Sequence, residues 1–123
     1  MILVDTSVWV DHLRHRNALL AERLEAGDVL THPLVIGELA CGNLRDRSEI
    51  LGLLNALPLA IQAGHQELVQ FVEERDLHGK GLGWIDVSLL GAALLTPCEL
   101  WTLDKPLSAA AKRLGVAVGP KRV

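Results

Sequence analysis

The chain reads as an α/β domain, a parallel sheet covered by helices on both sides in a three-layer α/β/α sandwich, and three observations predict it. Short aliphatic runs alternate with stretches of helical period along the chain, the pattern of strands joined by crossover helices. The short runs are apolar at every position rather than at alternate ones, as strands covered on both faces must be. Finally, 123 residues, 50% of them hydrophobic, are enough to bury roughly two thirds of the unfolded chain's surface without disulfides or a structural metal. No repeat, low-complexity run or Pro/Ser-rich linker divides the sequence, so residues 1–123 are expected to form one domain.

The elements follow in order. Residues 2–4 form the first strand and end at Asp5, after which Thr6 and Ser7 start a helix whose apolar face carries Val8, Trp9 and Leu13. Residues 17–26 repeat the helical period with Leu19, Leu20 and Leu24, and Gly27 follows where a helix end favours positive φ. Residues 28–31 predict a second strand. Pro33 opens the helix PLVIGELACGN, while Asp46 and Glu49 have the spacing of a capping box for EILGLLNAL, which must end by Pro58. A helix over about 64–77, the glycine-rich loop HGKGLG at 78–83 and a helix over 84–95 come next. A strand around 100–103, a helix after Lys105 and a strand near 116–118 complete the order. In such parallel sheets, ligands bind at the carboxyl ends of the strands.

Composition excludes several classes. The longest uncharged stretch, 87–98, falls short of the roughly 18 apolar residues a membrane span requires. The opening MILVD has no basic leader and no cleavage-site pattern, so a cytoplasmic protein is expected. Cys41 and Cys98 lie far apart without C-x-x-C spacing, which supports neither a zinc knuckle nor a redox motif and leaves small buried hydrophobes as their plain reading. The net charge of −3 argues weakly against a general nucleic-acid coat. Basic residues are nevertheless clumped, at Arg14, His15 and Arg16, at Arg45 and Arg47, at Lys112 and Arg113, and at Lys121 and Arg122. Solvated helix ends are the simple account of each clump.

Four acids stand where packing would not put them. Asp5 closes the first strand and Asp104 closes LWTLD, so a parallel sheet brings both to the same edge. Glu38 within PLVIGELACG and Asp86 within GWIDVSLLGAALL are lone charges on strongly apolar helices, with no Lys or Arg nearby on either. A buried carboxylate must protonate, pair with a base or bind a cation. Asp5, Asp86 and Asp104 can each be explained separately as helix N-caps, but Glu38 lies too deep in its segment for that. Together the four describe an oxygen-rich site for a hard cation, Mg²⁺ or Mn²⁺. Such a site suits hydrolysis of a phosphodiester by an activated water. The hydroxyls of Thr6, Ser7 and Thr102 can orient a carboxylate or a water, with helix capping the alternative for Thr6 and Ser7.

The segments VDTSVWVD, VIGELACG, GWIDVSLLGAALL and LWTLDKPL resemble the blocks of PIN-domain ribonucleases, specifically the VapC-type toxins of bacterial toxin–antitoxin modules, over essentially the whole chain. The resemblance implies a PIN-like fold, a Mg²⁺- or Mn²⁺-dependent endoribonuclease and a cognate antitoxin that occupies the site. It assigns Asp5, Glu38, Asp86 and Asp104 to the catalytic, metal-binding set, with Thr6, Ser7 and Thr102 in support. It departs at one point: where many members carry a further acid after the last of the set, this chain has Lys105 and Pro106.

Other signals carry less. His12 and His15 have a one-turn spacing, but no further ligand completes a set with them or with His32, His65 or His78. Arg14, His15, Lys80 and Lys105 are the candidate RNA contacts. The loop HGKGLG lacks the spacing of a phosphate-binding P-loop, and no G-x-S-x-G elbow surrounds Ser7 or Ser88. Trp9, Trp84 and Trp101 sit in apolar runs as core or subunit-contact residues, with base stacking the alternative. The apolar face VSLLGAALL is expected to be buried in a homodimer. Two rival readings remain: a non-enzymatic receiver-like regulatory module, whose acids should be spaced differently, and a PIN-type nuclease of RNA processing.

Overall fold

Ile2, Leu3 and Val4 are at most 1% exposed, which requires packing against both faces of the strand they form and so fixes it at the centre of the sheet. The computed structural model describes residues 1–118. In chain order its elements are β1 (Ile2–Val4), α1 (Thr6–His15), α2 (Ala18–Glu25), β2 (Val29–Leu30), α3 (Pro33–Ala40), α4 (Arg47–Ala56), α5 (His65–Glu74), α6 (Trp84–Leu95), β3 (Glu99–Trp101) and α7 (Lys105–Arg113). The three strands are parallel in the order β2-β1-β3, with Leu3 level with Leu30 on one side and Leu100 on the other. The three-layer α/β expectation stands.

Two single bridges widen the sheet, Leu59 beside Thr31 and Ala117 beside Leu100. The expected strand near 116–118 is thus reduced to one parallel bridge, supported by the Leu100 N–H donating to the Val116 carbonyl at 2.7 Å. The Leu59 bridge was not foreseen, because Pro58 reads as a helix stop rather than as the approach to a sheet edge. The strand expected at 100–103 sits earlier, at Glu99–Trp101; beyond it Thr102 and Leu103 turn towards α7. Lys121 and Arg122 lie outside the described residues.

Local chemistry sets most element ends. At Gly27, with φ +67°, and Gly115, with φ +76°, α2 and α7 close with paired backbone bonds, Gly27 N–H to Leu24 O with Asp28 N–H to Arg23 O, and Gly115 N–H to Lys112 O with Val116 N–H to Ala111 O, the Schellman arrangement. The capping box expected at Asp46 does not form. Asp46 is left-handed, with φ +49° and no side-chain cap, because the chain enters α4 from a loop pinned by Arg47, whose guanidinium donates to the Ala40 and Gly42 carbonyls.

The core also corrects one partner argument. Residues 87–93 of α6 are buried within this chain, so the apolar face expected to lie in a homodimer is used to cover the protein's own sheet. Gly91 makes that packing possible: a Cβ there would stand 2.8 Å from Leu68 Cδ2 on α5. Among the described residues no helix is long and apolar enough to cross a membrane.

Candidate active site

The four acids are placed by where elements begin. Asp5 leaves β1 and caps α1, accepting the Ser7 N–H at 3.4 Å. Asp104 caps α7 by accepting the Leu107 N–H at 3.1 Å. Asp86, in the first turn of α6, reaches back to accept the Gly83 N–H at 2.8 Å. The cap explanation therefore holds for these three and is compatible with a site, because capping fixes each carboxylate. Glu38 lies in the last turns of α3 and has no hydrogen bond or ion pair among the described residues.

Burial divides the set unevenly. Asp5 is 6% exposed and Asp86 half-buried, but Glu38 and Asp104 are exposed. The expectation of a buried charge on α3 is therefore corrected. Glu38 stands on the open side of its helix, while Val35 and Leu39 take the inward positions. What unites the acids is charge. Burial pushes the Asp86 carboxyl above its ordinary pKa, the Gly83 N–H opposes that, and the charges of Asp5, Asp104 and Glu38 all raise it further. No Lys, Arg or His pairs with any of the four among the described residues.

Two hydroxyls join the first strand to the third. Thr102 Oγ1 donates to Asp5 Oδ2 at 2.7 Å and accepts the Asp104 N–H at 3.0 Å. Ser7 Oγ also donates to Asp5 Oδ2 at 2.7 Å and accepts the Leu103 N–H at 3.0 Å. Asp5 is thereby locked to the loop that presents Asp104. Thr6 does not join them; its Oγ1 is buried without a protein partner.

These residues fit a divalent cation by chemistry. Asp5, Asp86 and Asp104 each commit Oδ2 to the protein and leave Oδ1 without a protein partner, and Glu38 adds an unpaired carboxylate. Hard oxygen donors with uncompensated negative charge are what Mg²⁺ and Mn²⁺ select. Among the described residues no three His, Cys, Asp or Glu side chains are already drawn into a ligating group, so the fit rests on donor chemistry and charge.

The histidines take other work. His32, 4% exposed, caps α3 by accepting the Leu34 N–H on Nδ1 at 3.0 Å, and burial pushes its pKa down. His12 Nδ1 accepts the Asn17 N–H at 3.1 Å, His78 lies 3.5 Å from Asp76, and the His65 ring lies 5.1 Å from the Trp84 ring. Of the candidate RNA contacts, Arg14 and His15 end α1, Lys105 begins α7, and Lys80 lies 3.6 Å from Asp76 in the loop before α6. One residue was passed over. Arg45 and Arg47 form a single basic clump in the sequence, but Arg47 braces the loop while Arg45 lines a groove that also contains Glu38. Only the loop's fold separates the two roles.

The candidate acids thus come from the end of β1, from α3, from α6 and from the turn after β3 in a parallel sheet. Residues 2–113 match the PIN domain family, and the chain belongs to it; all four acids lie within the match. Among its relatives is Ribonuclease VapC32 from two strains of Mycobacterium tuberculosis, each 47% identical over 119 residues, covering 96% of this chain and 96% of the relative. The receiver-like reading is set aside by this membership.

Proposed function

We propose that the chain is a Mg²⁺- or Mn²⁺-dependent endoribonuclease, the toxin of a toxin–antitoxin pair, acting in the cytoplasm and held inactive by its cognate antitoxin. The observation that carries the reading is that the Ser7 and Thr102 hydroxyls tie Asp5 to the loop presenting Asp104, with no base paired to any of the four acids among the described residues. The name of the mycobacterial relatives, Ribonuclease VapC32, supports RNA as the substrate, and its VapC label agrees with the VapC-type resemblance that favours a toxin over a nuclease of RNA processing.

Asp5, Glu38, Asp86 and Asp104 would hold the ion. When bound, it supplies positive charge to the phosphoryl oxygens and makes water a usable nucleophile near neutral pH. Hydrolysis adds one water across the phosphodiester: a P–O bond forms from the water oxygen, the bond to a ribose oxygen breaks, and that oxygen takes a proton. This chain's residues supply position. Ser7 and Thr102 hold Asp5 in one orientation and tie it to the Asp104 loop, and the caps on α6 and α7 fix Asp86 and Asp104. Lys80 and Lys105, both exposed near this edge, contact the backbone phosphates of the RNA, as Arg14 and His15 do from α1.

The test is cleavage of a mixed RNA pool by purified protein and by Asp86→Asn. The variant should keep its helix cap through the amide oxygen and lose cutting by at least 100-fold; equal cutting by both would remove Asp86 from the site. A homodimer remains part of the proposal, now on different residues. Leu59, Ile61 and Leu95 are 44–55% exposed, and the Ile61 N–H bonds Thr96 Oγ1 at 2.8 Å, which brings the three to one surface. A dimer by light scattering that Ile61→Glu converts to monomer is expected.

A further inference from the structure

A groove of about 770 Å³ runs along α1 from Thr6 and Glu38 to Arg14, His15 and Arg45. Its volume falls within the roughly 300–1,000 Å³ of ligand sites. Thr6 and Arg14 stand at opposite ends of one helix, about 12 Å apart along its axis at 1.5 Å per residue, so the groove leads away from the acid centre. Its floor is apolar, with Val10 and Leu39 among the contributors. Arg14 and Arg45 are exposed, and neither has an ion pair or hydrogen bond among the described residues. The fold takes care to leave Arg45 available: its neighbour Arg47 bonds two carbonyls at the end of α3 and holds the loop that carries both. The groove's acids are Glu38, which belongs to the centre itself, and Asp46, next to Arg45.

We infer that this groove holds the RNA strand on one side of the cut, with Arg14 and Arg45 on its phosphates and the apolar floor beneath its bases. The inference rests on the ribonuclease reading and deepens it. Unpaired guanidiniums match phosphates by geometry and charge, an apolar floor suits unstacked bases, and the groove opens directly onto Glu38. Bases can lie on that floor only when they are out of a duplex, so the strand selected is single.

The test uses the Asp5→Asn protein, which retains the groove without cutting, and a labelled single-stranded RNA that the wild type cleaves. Affinity is measured across a salt series for this protein, for Arg14→Ala with Arg45→Ala, for Arg14→Lys with Arg45→Lys, and for Lys112→Ala as a control at the far end of α7. The double alanine variant should bind at least tenfold more weakly, with the slope of log K against log salt lower by about 1.4, since each single-strand phosphate contact contributes about 0.7. The lysine pair should restore the slope, which a merely structural loss would not allow. A duplex of the same sequence should bind weakly and without dependence on the two arginines. Affinity and slope equal to those of Lys112→Ala, or weaker binding with the slope unchanged, would overturn the assignment while cleavage by the wild type left the ribonuclease reading standing. RNA binding unchanged by the double variant while an acidic peptide is lost would give the groove to a protein partner and also overturn it. No binding or cleavage of RNA by the wild type would overturn both.

Discussion

Asp5 carries three hydrogen bonds on one carboxylate oxygen, two of them from side-chain hydroxyls. An asparagine can keep that oxygen as an acceptor, so Asp5→Asn should fold as the parent does while RNA cleavage falls below detection. In the proposed reaction Ser7 and Thr102 act only through Asp5 and the Asp104 loop, which are what they touch. Removing Thr102 Oγ1 in Thr102→Val should cost 10–100-fold in activity, the usual price of losing an orienting contact to a metal-binding group, with weaker apparent affinity for Mn²⁺ as the readout that separates positioning from folding. His32 gives a prediction of a different kind. Its folded pKa is lowered by burial from the ordinary 6.5, so the unfolded chain takes up a proton first, and stability that is complete above that value is lost as pH falls through the folded one. The urea midpoint should therefore drop from pH 7.5 to pH 5, and His32→Asn, which keeps a cap acceptor, should flatten that slope. Asp28 is shifted downwards by the amino terminus and Arg23, so its own loss of stability lies below pH 4, outside this window.

Among the elements, α1, α6 and α7 each place an acid of the proposed site through a cap or a first-turn contact. Those local signals are why the candidate set can be read in the sequence. Asp5, Asp86 and Asp104 occupy positions that cap signals identify, and their convergence follows from a parallel sheet. Glu38 is singled out on grounds only partly sound: the apolar helix around it is real, but Glu38 faces outwards, and one-dimensional hydrophobicity does not distinguish the open side of a short helix from its inner side. Asp46 failed as a cap because Arg47 fixes its loop through contacts to the preceding helix, which no local motif records. The bridge at Leu59 escapes the sequence, and the strand expected near 116–118 shortens to the bridge at Ala117, for the same reason, since each is decided by the neighbouring strand. Packing between α5 and α6 depends on Gly91, where a larger side chain would meet buried Leu68. Gly91→Val should destabilise the protein by about 1–3 kcal/mol, the range for overpacking a filled core, measured as a lower urea midpoint, without moving the acids.

For the molecule as a whole, a net charge of −3 hides a division of labour. Without the four acids of the site the balance is 12 basic to 11 acidic residues, so the negative excess is concentrated at one edge and the unpaired arginines stand beside it. An acidic centre that repels RNA on its own becomes compatible with a polyanion once a divalent ion is held there, and that dependence is the central claim. It is tested most directly by following cleavage of one RNA while the purified protein is titrated with Mg²⁺ or Mn²⁺ after exhaustive chelation, alongside Asp5→Asn and Asp104→Asn. The account predicts no cutting after chelation, restoration by either ion, and no restoration in either folded variant. Cutting that persists in chelator, or that both variants retain, would contradict it.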